Sequence, residues 1–104
     1  MRKQKAMYRT ADGRKNILGD TIRQLRQQRN MMQKDLAECL KKYIGTYADQ
    51  KFVSSIELGS RTITDFELLA IAKCLGVTVD EMFSYAPAVE IVRENKKPST
   101  TPRY

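Results

Sequence analysis

From Ile17 to Phe83, apolar residues recur at helical spacing, and residues that end helices cut the pattern at short intervals. Leu18, Ile22 and Leu25 follow one another at four and three, with Arg and Gln between them. This first helix is expected to run to about Arg29, where Asn30, a residue that tolerates the left-handed backbone, takes the turn. A second run buries Leu36, Ala37 and Leu40 and continues into Tyr43 or Ile44 before Gly45 stops it. A third opens on Asp49, a good N-cap, carries Val53 and Ile56, and ends at Gly59. A fourth begins near Thr64 or Asp65, is expected to bury Phe66, Leu69, Ala72 or Ile71, and Leu75, and stops at Gly76. Thr78 and Glu81 form a capping box for a short fifth helix. Helices this short are marginal in water unless packed, so the chain must fold by laying helices on one another. No strand pattern of comparable length competes, although Ala88–Val92 has alternation that suits a single strand or a short helix.

A chain of 104 residues has room for one hydrophobic core. No apolar run approaches a membrane span, and no apolar stretch follows the charged N-terminus, so no signal peptide is read and the cytoplasm is the expected compartment. Cys39 and Cys74 stand far apart in helical patterns and are read as free, buried thiols acting as small hydrophobes. With no histidine and no CxxC, neither a metal nor a cofactor is expected. The lack of a base beside any Ser or Cys, and of a glycine-rich phosphate loop, speaks against an enzyme.

The formal charge of +7 is unevenly spread. Residues 1–15 carry a net +5 without apolar periodicity, and read as a flexible basic arm. The packed domain is placed at residues 16–84. Within it, residues 16–61 are net +3, whereas residues 62–85 are net −3, with Lys73 opposed by Asp65, Glu67, Asp80 and Glu81. The folded part is therefore near neutral but polarised, with its positive end in the stretch around the third helix; a phosphate-binding surface needs local rather than total positive charge, and charge alone is weak support for one. Residues 85–104 form a C-terminal extension, partly disordered, since Pro, Ser, Thr and charge dominate residues 93–104.

The third segment, DQKFVSSIELGSR, raises a question of purpose. Val53 and Ile56 anchor one side, leaving Gln50, Lys51, Ser54 and Ser55 projecting from the other. Gln offers a paired donor and acceptor that suits adenine, and Lys a donor that suits guanine. The run LGDTIRQLRQQRNMMQKDLAECL, followed by VSSIELGSRTITDFELLAIAKCLGVTVDEMF, resembles the helix-turn-helix domain of the Cro and phage-repressor type, the XRE family. The marks are Gln33 three places before Leu36-Ala37, then Val53-Ser54, Ile56-Glu57 and Gly59, then Leu75-Gly76-Val77 ahead of Asp80.

The resemblance implies an all-α, compact five-helix domain whose third helix, about residues 49–58, enters the major groove of double-stranded DNA. It implies an ion pair between Arg26 and Glu57, a contact from Gln33 to the DNA backbone, and a phosphate-facing loop at Arg61 and Thr62. It also implies a transcriptional regulator, read as a repressor, that works as a homodimer. The apolar candidates for the dimer contact are Val79, Met82, Phe83, Val89 and Ile91, the first three being equally suited to capping the monomer core.

Three features depart from the family pattern. Met32 replaces the usual Ser or Thr cap, and the segment from Leu40 to Asp49 is more than one helical turn too long. Phe52 stands where a small polar residue is usual, suited either to a thymine methyl or to packing on the lengthened loop. The alternative function is a protein-interaction module of the same fold, bound to a regulatory protein partner through the apolar stretch YAPAVEIV.

Overall fold

Each helix begins and ends on a local device. The computed structural model describes residues 8–86 and the backbone of residues 91–93. Helix α1 spans Gly19–Gln28, and Asn16 opens it by accepting the Leu18 and Gly19 N–H groups on Oδ1 at 3.0 and 2.8 Å. Asn30, at φ 55°, takes the left-handed turn after it. Helix α2 spans Gln33–Ile44. Met32 has no oxygen with which to cap it, and instead the Asp35 carboxylate accepts the Met32 N–H at 2.8 Å. The long segment does extend this helix, and Gly45–Ala48 forms the connection to α3, Gln50–Leu58, which is capped by the Asp49 carboxylate on the Phe52 N–H. Helix α4, Asp65–Leu75, and helix α5, Val79–Tyr85, each open with a complete Thr–Glu capping box.

The core lies where α2 packs against both α3 and α4, with α1 laid across α3. Ile22, Leu36, Leu40, Val53, Ile56, Ile71, Leu75 and Met82 are fully buried. Burying residues of this kind contributes about 1.5–3 kcal/mol each, which is what holds together helices too short to persist alone.

Three expectations need correction, and one open alternative is resolved. The first is the phase of α4: Phe66 is 78% exposed and Leu69 51%, and the buried face is Glu67, Ala70, Ile71, Ala72 and Leu75. Helix α4 is apolar on nearly every side, so periodicity alone allows several phases. The Thr64–Glu67 box turns Glu67 inward, which sets Phe66 outward.

The second concerns the cysteines. Cys39 of α2 and Cys74 of α4 form a disulfide with their Cα atoms 5.9 Å apart. The 35 residues between them say nothing about distance once α2 and α4 pack side by side.

The third is the basic arm. Its residues 8–15 are built onto the domain, whereas residues 1–7 lie outside the described residues. Strand β1, Tyr8–Thr10, pairs antiparallel with strand β2, Ile91–Arg93, in the register Tyr8↔Arg93, Arg9↔Val92 and Thr10↔Ile91. The Thr10 hydroxyl hydrogen-bonds Asp12 and accepts the Arg14 N–H at 2.9 Å, closing a turn that feeds the chain toward α1.

The open alternative is Met82, named above for either a dimer contact or the monomer core, which is wholly inside the monomer. Val79 is half-buried and Phe83 exposed, while Val89 and the Ile91 side chain lie outside the described residues.

Candidate nucleic-acid interface

Helix α3 presents its residues as the helical repeat requires. Phe52, Val53, Ile56 and Glu57 face inward, Gln50 and Lys51 are exposed, and Ser54 and Ser55 are half-buried. Leu58, seven residues after Lys51 and so on the same side, is 69% exposed. Sequence reasoning missed it, because an apolar residue at a helix end reads as core.

The helix is held by a polar bracket at each end. On one side the Arg26 guanidinium grips Glu57 in a two-pronged pair, Nε to Oε2 at 2.6 Å and Nη2 to Oε1 at 3.1 Å. Its remaining Nη1 donates to the Met31 carbonyl at 2.7 Å. Both side chains are buried, where such a pair is retained only because its polar atoms are satisfied. Gln33 donates to Glu57 Oε1 at 3.0 Å, and Gln50 Nε2 lies 3.5 Å from Gln33 Oε1, a long contact. The structure thus brings Gln33 and Gln50 together and ties them through Glu57 to the first helix.

On the other side Asn16 spends all of its hydrogen-bonding capacity on this junction. Its Nδ2 donates to the carbonyls of Ile56 at 3.0 Å and Arg61 at 2.9 Å, while Oδ1 opens α1. Gly19 permits the close approach. A Cβ there would stand 2.6 Å from the Ile56 oxygen and 2.7 Å from that of Glu57. Gly59 ends the helix at φ 76°, and the Arg14 side chain lies over it, where a Cβ would meet Arg14 Cδ at 2.6 Å. Arg14 is itself fixed by Asp20 at 2.7 Å, and the Lys15 N–H bonds the Gly59 carbonyl at 2.7 Å.

Arg61 and Thr62 sit apart from Gln33 and Gln50, in the loop after α3. Thr62 is exposed. Arg61 is folded back on the domain, with its guanidinium carbon 4.6 Å from the centre of the Phe52 ring and Nη2 donating to Glu67 Oε2 at 3.2 Å. Phe52 therefore packs, and Tyr47 from the lengthened connection meets the same ring edge-on at 5.4 Å. The Tyr47 hydroxyl donates to Glu67 at 2.9 Å. Desolvation, reinforced by the adjacent carboxylate, holds the Tyr47 pKa above its ordinary value, so the donor keeps its proton.

Four residues that hold the site went unread, and each had a signal. Asn16 is a capping residue just ahead of a helical pattern. Gly19 is an isolated glycine inside one, which asks for a packing reason. Thr64 and Glu67 spell a capping box. Tyr47, whose place in the lengthened connection suggests a phosphate contact, carries no local signal of its partner Glu67, 20 residues along the chain.

The surface so built has the exposed amide of Gln50 and ammonium of Lys51 on a short helix braced at both ends. Among the described residues no helix is long and apolar enough to cross a membrane. No individual curated protein and no solved structure matches the chain. A family model described as helix-turn-helix does match, over residues 22–82, a span that includes α2, the connection and α3 and covers more than half of the chain. The chain belongs to the helix-turn-helix family of the Cro and phage-repressor type, a family of DNA-binding transcriptional regulators.

Proposed function

We propose that this protein is a sequence-specific repressor that binds double-stranded DNA in the cytoplasm with α3 in the major groove. One observation carries the reading. The exposed start of α3, Gln50 and Lys51, belongs to a helix that Arg26, Glu57 and Gln33 lock to the first helix and Asn16 braces at its far end. Direct readout needs side chains delivered to base edges by a rigid element, and this helix is one. Gln50 is suited to adenine and Lys51 to guanine, with Ser54 and Ser55 on the same front. Gln33, Arg61 and Thr62 face the backbone on either side.

A domain this small reads few base pairs, so pairing across a two-fold site is the way it gains specificity. Phe83 and Val79 of α5 are the described residues that suit the contact. The recognition helices of such a dimer would stand about 34 Å apart, over half-sites about 10 base pairs centre to centre.

Selection of bound sequences from random duplex DNA tests the reading. A palindrome with that spacing is the expected result. On the selected site, Gln50→Ala or Lys51→Ala should lose about 1–3 kcal/mol and relax preference at one or two base pairs. Wild-type binding by both variants would remove α3 from the groove. A second reading, a module that binds another protein, draws on the exposed Phe66 and Leu69 of α4. It predicts no salt-sensitive duplex affinity at all.

A further inference from the structure

The lengthened connection between α2 and α3 ends in a four-residue cluster that links both loops flanking α3. Phe52 is its centre, with the Tyr47 ring standing edge-on to it, planes at 88°, and the Arg61 guanidinium over its face. Glu67 joins the two outer members, because its Oε2 accepts both the Tyr47 hydroxyl and Arg61 Nη2. Glu67 cannot move to suit them. It is 3% exposed, and its Oε1 accepts the Thr64 N–H at 2.9 Å.

Arg61 is therefore held at two of its three nitrogens, since Nε donates to the Thr62 carbonyl at 3.2 Å. Its side chain is still 37% exposed. Among the described residues no acceptor is bonded to Nη1, which carries two of the five guanidinium N–H donors. A planar fork fixed along one edge offers its other edge in one direction, which is the geometry that suits an oxygen-rich anion.

We infer that Tyr47 and Glu67 are positioning residues that aim Arg61 at one phosphate of the DNA backbone beside α3. The inference rests on the DNA-binding reading. A loose arginine would lose its freedom on reaching a phosphate. Arg61 has lost it in the free protein, so binding does not bear that entropy loss. The extra turn of chain between Leu40 and Asp49 thereby gains a purpose: it carries the hydroxyl that fixes the pose. Tyr47 touches no DNA in this account and acts through Glu67.

The test uses the full chain, a selected-site duplex and a random-sequence duplex of equal length, titrated over a series of salt concentrations. Arg61→Ala should weaken both duplexes alike and lower the slope of log affinity against log salt by about one. Tyr47→Phe keeps the ring and removes only the hydroxyl. It should weaken both duplexes roughly three- to ten-fold, the scale of ordering one side chain, at a temperature well below a melting midpoint that is itself lowered by the hydrogen bond lost at the buried Glu67. In the Arg61→Ala background it should have no further effect, an interaction that a merely structural tyrosine would not show. Wild-type affinity in Tyr47→Phe, or a loss that persists undiminished without Arg61, would overturn the inference. Tighter binding by Glu67→Gln would also overturn it, because Glu67 would then be competing with the phosphate for Arg61. In each of those cases the wild-type protein still binds duplex with a steep salt slope. Absence of that wild-type binding sinks the DNA reading itself and the inference with it.

Discussion

Reducing the Cys39–Cys74 bond should cost the domain much of its stability while leaving its fold in place. The bond joins α2 to α4 across a sequence separation of 35, and the loop it closes contains all of α3 together with Tyr47, Arg61 and Glu67. Closing a loop of that length removes about 4 kcal/mol of chain entropy, at 25 °C, from the unfolded ensemble. For a domain of this size each kilocalorie moves the melting midpoint by about 4–8 °C, so reduction should lower it by about 15–30 °C. The assay is thermal melting by circular dichroism of one preparation with and without a phosphine reductant, with thiols counted in the unfolded, unreduced protein. The helical signal at low temperature should not change, because Leu36, Leu40, Ala70, Ile71 and Leu75 still bury the α2–α4 interface. A shift below about 5 °C would refute the loop-entropy reasoning, and two free thiols before reduction would refute the bond.

Three further outcomes follow from the same geometry. Glu57→Ala leaves the buried Arg26 charge without its partner and should cost about 3–5 kcal/mol in urea denaturation, whereas Gln33→Ala, which removes one hydrogen bond to the same carboxylate, should cost about 1.5–3 kcal/mol at most. Deleting residues 1–14 removes Thr10 and Arg14 from the braces on α1 and Gly59 and should lower the melting midpoint below that of a protein lacking only residues 1–7; equal midpoints for the two deletions would contradict the packing of residues 8–15. Gly19→Ala forces its Cβ against the Ile56 and Glu57 carbonyls and should destabilise by about 1–3 kcal/mol, measured by denaturant unfolding; a neutral result would show that α1 can retreat from α3 without loss.

What was legible in the chain and what was not divides along the reach of the interactions concerned. Helix number, helix order and nearly every boundary rest on neighbours within four residues: the 3.6-residue repeat, Asp49 on Phe52, Thr78 with Glu81, the stops at Asn30, Gly45, Gly59 and Gly76. Such signals are written locally, so sequence alone determined an all-α helix-turn-helix domain. The family resemblance extended that reach to the Arg26–Glu57 pair, 31 residues apart, which no local rule would have joined. Tertiary structure decided the rest. It completed the buried face of α4: the local Thr64–Glu67 box turns Glu67 inward, and Tyr47 and Arg61 supply the partners that let its carboxylate stay there. It brought Cys39 to Cys74, and Tyr8 to Arg93, because chain separation is blind to which helices and strands lie side by side. And it placed Asn16 between the start of α1 and the end of α3, where one amide satisfies four backbone groups that only the packed fold brings within its reach.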